Sequence, residues 1–131
     1  MHFTVMVAEI ADFAPFMHEL FTQRRAGFSF LDGAEDVFRR RQRVEHESEV
    51  VDKRYEIFCG ADDDINRARQ ILSPQFLAWL QDHAPEAFAF ECVAGVLVCN
   101  VKGHKKSAAE LDSFCTGASA VAKRLREEAL E

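Results

Sequence analysis

The sequence predicts an α+β domain: an antiparallel sheet of about 4–6 strands, a kinked middle helix and a long C-terminal helix on one sheet face. Three observations predict it. Residues 87–103, AFAFECVAGVLVCNVKG, carry a hairpin pattern, and residues 107–129 carry one apolar stripe at helical spacing. The 131 residues suit one domain, with no internal repeat or low-complexity linker to divide them.

Each element follows in order. FTVMVAEI (3–10) is rich in β-branched and apolar residues and reads as a strand. DFAPFMHELF (12–21) supports two readings, a helical first turn around Pro15 with Phe16, Leu20 and Phe21 inward, or an extended edge. AGFSFLDGAED (26–36) suggests a short strand with Phe28 and Phe30 on one face, closed by an Asp-Gly turn. RVEHES (43–48) alternates and suggests another strand. KRYEIFCG (53–60) is a stronger one, with Tyr55, Ile57 and Cys59 facing one way and Gly60 ending it.

The stretch DDDINRARQILSPQFLAWL (62–80) opens with three carboxylates and holds Ser73-Pro74 in its middle. Asp62 or Asp63 is placed to cap a helix, since an acidic side chain favours the positive end of the helix dipole. Ile65, Ala68, Ile71 and Leu72 share one face. The residue before proline is pushed out of the α region, while Ser is a good N-cap and Pro a good first helical residue. A helix to Leu72 and a second piece from Pro74 to His83 follow, the latter burying Phe76, Leu77, Trp79 and Leu80. Capping gives the carboxylates a sufficient structural role, and a divalent-metal site needs further oxygen ligands from elsewhere.

In the hairpin, a two-residue turn at Ala94-Gly95 sets Cys92 opposite Leu97, Phe90 opposite Cys99 and Phe88 opposite Val101. That face is wholly apolar, whereas Ala89, Glu91, Val93, Val96, Val98 and Asn100 make a mixed one. Ser107 to Glu110 then form a capping box. Leu111, Phe114, Cys115, Ala118, Val121, Ala122, Leu125 and Ala129 form the stripe of the final helix, for which the hairpin's apolar face is the expected partner.

Composition narrows function. Residues 1–60 and 61–131 carry equal counts, 8 Lys/Arg against 11 Asp/Glu each, for a net charge of −6. Neither half shows the basic face of a nucleic-acid-binding module. The 12 Phe against 1 Tyr and 1 Trp bring apolar area without a polar handle, as a core requires. Cys59, Cys92, Cys99 and Cys115 match no zinc spacing and sit in apolar segments, as expected of reduced, buried thiols in a cytoplasmic protein. No signal peptide and no apolar run near the roughly 18 residues of a membrane span is present. The opening MHFTVMVAEI runs straight into apolar sequence, which fits a domain taken from a longer chain.

No nucleophile elbow, phosphate loop, dinucleotide fingerprint or His-Glu-x-x-His occurs. His46 alone among the five histidines lies among acids, and on a strand it shares a face with Ser48, a poor geometry for nucleophilic catalysis. Lys102, His104, Lys105 and Lys106 precede a helix start. The plain reading is a solvated basic loop, and the sharper one is contact with an anion or lipid headgroup.

Glu47-Ser48, Tyr55, Ala68-Arg69 with Leu72 and Pro74, and the Ala94-Gly95 turn together resemble a bacterial domain family of unknown function, frequent in actinobacteria. The resemblance covers residues 43–103 and rests on structural punctuation. It implies a domain on the cytoplasmic side of, or directly after, a small number of membrane helices, and implies no activity or cofactor.

The expected function is therefore association without catalysis or cofactor: with a second copy, with a protein partner, or beside a membrane from the cytoplasm. A competing expectation is an apolar-ligand binder with His46, Tyr55 and Arg69 as polar anchors. A third is an enzyme built on His46, Glu47 and Asp62–Asp64, which requires those groups to converge in one cleft.

Overall fold

Strand β1 (Phe3–Glu9) leads through a short 3-10 turn (Ala11–Phe13) into β2 (Glu19–Arg24). Next come β3 (Arg41–Arg43), helix α1 (Glu49–Arg54) and β4 (Tyr55–Gly60). Helices α2 (Ile65–Ile71) and α3 (Pro74–Asp82) follow, then the hairpin β5 (Ala89–Val93) and β6 (Val96–Lys102), and α4 (Ala108–Leu130). These elements come from a computed structural model that describes residues 3–24, 41–46, 48–85, 87–103 and 107–130.

The six strands form one antiparallel sheet in the order β1-β6-β5-β2-β4-β3. The α+β architecture is as expected. The late hairpin is inserted between β1 and β2, so the chain leaves one edge at Glu9 and re-enters the sheet near its middle. That crossing passes under the hairpin tip, where Ile10 donates to the Gly95 carbonyl at 2.7 Å and Ala94 donates to that of His18 at 2.8 Å. Ala94 and Gly95 both have positive φ, 50° and 82°, the pattern of a type I′ turn. A Cβ on Gly95 would meet Ala11 Cα and the Ile10 carbonyl oxygen, both at 3.2 Å, so this position is closed to larger residues.

The hairpin register is the expected one, with Cys92 opposite Leu97 and Phe90 opposite Cys99. On the same face the ladder adds Leu20, Thr22, Ile57 and Cys59, and α2, α3 and α4 supply Ala68, Ile71, Phe76, Leu80, Phe114, Val121 and Leu125 to the core. Rings tie the layers together: Trp79 meets Phe88 edge-on at 6.0 Å, and Phe88 meets Phe114 at 6.3 Å. Tyr55 places its hydroxyl in this core by donating to the Phe88 carbonyl at 2.6 Å.

Several expectations are corrected. The stretch 43–48 is not a strand: β3 ends at Arg43, and Ser48 caps α1 by accepting from the Val51 N–H at 3.2 Å. Lys53 and Arg54 accordingly close α1 and do not open β4. The residue that caps α2 is Asp64, not Asp62 or Asp63, accepting from Asn66 at 2.9 Å. Residues 12–21 contain the 3-10 turn and then a strand, β2, that pairs on both sides. The mixed second face of the hairpin is buried as well, at Ala89, Glu91, Val98 and Asn100. On α4 the stripe drifts: Leu111 and Cys115 are exposed, while Gly117 and Glu128 are buried. Gly117 admits Pro85, whose Cδ would lie 2.9 Å from a Cβ there. Glu128 is neutralised by Arg124 at 2.8 Å, and Arg124 also donates to the Gln70 carbonyl at 2.9 Å, binding α4 to the end of α2. The strand expected over 26–36 lies outside the described residues.

Candidate functional site

The three carboxylates of residues 62–64 have separate roles. Asp62 is exposed. Asp63 Oδ1 accepts from the His18 N–H at 2.8 Å, and its Oδ2 accepts from Glu19 at 3.0 Å and Gly60 at 2.9 Å. It thus pins the start of β2 to the end of β4. Asp64 caps α2. Gln42 completes this corner, its Nε2 donating to the carbonyls of Gly60 at 2.9 Å and Asp63 at 2.6 Å. Asp63 and Asp64 thus serve the loop and the helix start, while Asp62 faces solvent.

The expected anchors belong to different elements. The Tyr55 hydroxyl is committed to Phe88, and Tyr55 begins β4. Arg69 is exposed on α2, donates to Asn66 Oδ1 at 3.4 Å, and exerts its charge on Cys59 at the far end of β4. His46 precedes α1 and is half-buried. Lys102 is exposed at the end of β6, while Glu47, His104, Lys105 and Lys106 lie outside the described residues. Among the described residues no group of three or more His, Cys, Asp or Glu is placed to hold a metal ion. No helix among them is long and apolar enough to cross a membrane.

The thiols are unreactive by position, with one exception. Burial pushes Cys92 and Cys99 up to about 12 from an ordinary 9.0. Cys59 is pushed up to about 11, by burial first and then by the negative charge of Asp63. Cys115 is exposed on α4, against expectation.

The feature that stands out is the β1 edge. Val5 and Val7 are 41% and 63% exposed, and Leu130 at the end of α4 is 73% exposed. Ile10 bonds directly to Gly95, and Val93 and Val96 close the tight turn, so alternation along both ladders fixes which groups point where. Met6 and Ala8 direct their N–H and C=O groups to β6, whereas Val5, Val7 and Glu9 direct theirs away from the sheet. Beneath the edge, on the helix-covered face, an open groove of about 450 Å³ runs between β1 and α4. Met6, Ala8, Ala122 and Leu130 supply its apolar lining, and Arg126 and Glu127 supply charges of both signs. A second open groove, about 290 Å³, lies between α3 and α4 beside Phe76 and Trp79.

The two sheet edges differ. Among the described residues the other edge is β3, which carries Arg41 and Arg43. Edge strand β1 is seven residues long, FTVMVAE, with no Lys, Arg or Pro and a single charge at its end. Cationic side chains are ordinary protection against edge pairing, and β1 has none. The sequence showed that 3–9 is a strand, but its edge position depends on pairing with residues a hundred positions away and had no local signal.

Comparison with known proteins adds no relative: no family model, no curated protein and no solved structure matches the chain.

Proposed function

We propose that this domain works by association, and that the β1 edge with the groove beneath it is the surface used. The carrying observation is the β1 edge itself: a seven-residue, mostly apolar strand whose Val5, Val7 and Glu9 N–H and C=O groups point outward. Strand addition to such an edge supplies main-chain hydrogen bonds, and alternate side chains supply selectivity. Val5 and Val7 serve one face of the seam, and Met6, Ala8 and Leu130 serve the other. An assembling role accords with the resemblance over residues 43–103 to domains set beside membranes, which implies a cytoplasmic setting.

The test is residue-resolved amide exchange on the dilute, monomeric chain. The N–H groups of Val5, Val7 and Glu9 exchange near the intrinsic rate while those of Met6 and Ala8 are protected. Strong protection of Val5 and Val7 in the dilute monomer would mean the edge is already closed, and the association reading would be withdrawn.

A further inference from the structure

We infer that the occupant of the β1 edge is the β1 edge of a second copy of this chain, paired antiparallel with Met6 on the two-fold axis. This rests on the association reading above and commits it to one partner.

Hydrogen-bonding parity selects the register. New antiparallel bonds form only between residues whose N–H and C=O point outward, so Val5, Val7 and Glu9 must face residues of the same parity. Centring on Met6 sets Val5 opposite the partner's Val7 and Val7 opposite the partner's Val5, two pairs that exchange four hydrogen bonds. An axis on Val5 or on Val7 keeps the same parity, but each leaves one valine–valine pair in place of two, with the other valine facing Phe3 or Glu9. A shift to Glu9 would oppose two carboxylates, which is unfavourable. The Met6-centred register alone makes both central pairs valine with valine. It leaves Glu9 at the ends of the seam, facing Phe3.

Symmetry supports the same arrangement. An antiparallel seam is isologous and closes as a dimer, with the β1 edge of each copy used up in it. With the axis normal to the sheet, the four exposed valines gather on one face. On the other face the two grooves between β1 and α4 join, bringing Met6, Ala122 and Leu130 of both copies together. Lys123, Arg126 and Glu127 border that space with both signs of charge, so two identical surfaces meet without uniform repulsion.

The experiment uses the whole chain. Light scattering across a concentration series is expected to show the wild type rising to twice 14.9 kDa, with Val5 and Val7 amides gaining protection in step. Val7→Lys remains monomeric with an unchanged circular dichroism spectrum; should it unfold, Val5→Thr, which keeps the β-branched shape, is read instead and weakens the dimer. The register is read by mild oxidation in a Cys115→Ser background. Met6→Cys lies opposite itself across a non-hydrogen-bonded pair, at about 4.5 Å between Cα atoms, and cross-links. Val5→Cys and Val7→Cys each lie two positions out of step with their own copies and do not. Open Val5 and Val7 amides on a chain that stays monomeric at every concentration would overturn this inference while leaving an edge that takes a different partner. A dimer indifferent to Val7→Lys and refractory to Met6→Cys cross-linking would overturn the inference as well.

Discussion

Asp63 holds the corner on which β2 and β4 meet, and removing its carboxylate tests that role. It accepts three backbone N–H bonds between 2.8 and 3.0 Å, from His18, Glu19 and Gly60. A hydrogen bond to a charged group contributes about 1.5–3 kcal/mol, and the cost falls where water replaces the lost acceptor. The His18 bond is exposed and the other two are part-buried. Asp63→Ala is therefore expected to cost about 2–4 kcal/mol, a large fraction of a domain's net stability. Asp63→Asn keeps the shape but points an NH₂ donor at one or two N–H donors, and should lose about 1–2 kcal/mol.

Gly60 makes the reasoning refutable by a cycle. A Cβ there would sit 2.5 Å from Asp63 Oδ2, so Gly60→Ala must displace the carboxylate. The expected cost is about 1–3 kcal/mol in the wild type and close to nothing once Asp63 is Ala. Urea unfolding of the two single variants and the double variant measures the coupling through the midpoint at constant slope. Additive effects, within about 0.5 kcal/mol, would refute the claim that the two residues share one obstruction.

Two further outcomes concern stability. Ala94 holds φ near +50° in the hairpin turn, a conformation Asn adopts more readily, so Ala94→Asn should stabilise by about 0.5–1 kcal/mol in the same assay. The three buried thiols stay protonated in the fold, so stability is fully present below pH 9.0. It falls as pH rises from there toward 11 and 12, because the unfolded chain releases those protons first. Cys92→Ala and Cys99→Ala should each flatten that alkaline loss, and a thiol reagent at neutral pH should modify Cys115 alone until the chain unfolds.

Much of this fold is written locally. The β5–β6 hairpin is legible because only one register puts Cys92, Phe90, Leu97 and Cys99 on a common face. The ends of α3 and α4 are legible because Ser73 and Ser107 cap by side-chain chemistry that acts within three residues. The misreadings have two causes, one long-range and one local. ELFTQR (19–24) has Glu, Gln and Arg among its six residues, yet it becomes a central strand because neighbours on both sides complete its ladder. Glu19 is tolerated inside because Arg41 stands 3.6 Å away on another strand. In RVEHES the alternation imitated a strand, while the operative signal was Ser48 as a helix cap. The candidate surface was legible only in part, since strand order is a property of long-range pairing and no window of sequence contains it.

The magnitudes at the β1 edge explain why association there suits regulation by concentration. The exposures of Val5 and Val7 sum to about one whole valine per copy, so a seam of two copies gains at most about 3–6 kcal/mol of apolar burial. Four central hydrogen bonds add about 2–6 kcal/mol net. Bringing two copies together costs about 4–15 kcal/mol in lost translational and rotational freedom. These terms are of one size, so the main-chain seam by itself gives a weak dimer, and the groove beside α4 decides the affinity. Leu130, the most exposed large apolar residue described, projects from the end of α4 at that groove and has most to gain from burial. In the proposed dimer the edge would specify register and partner, and the helix would set how tightly the pair holds.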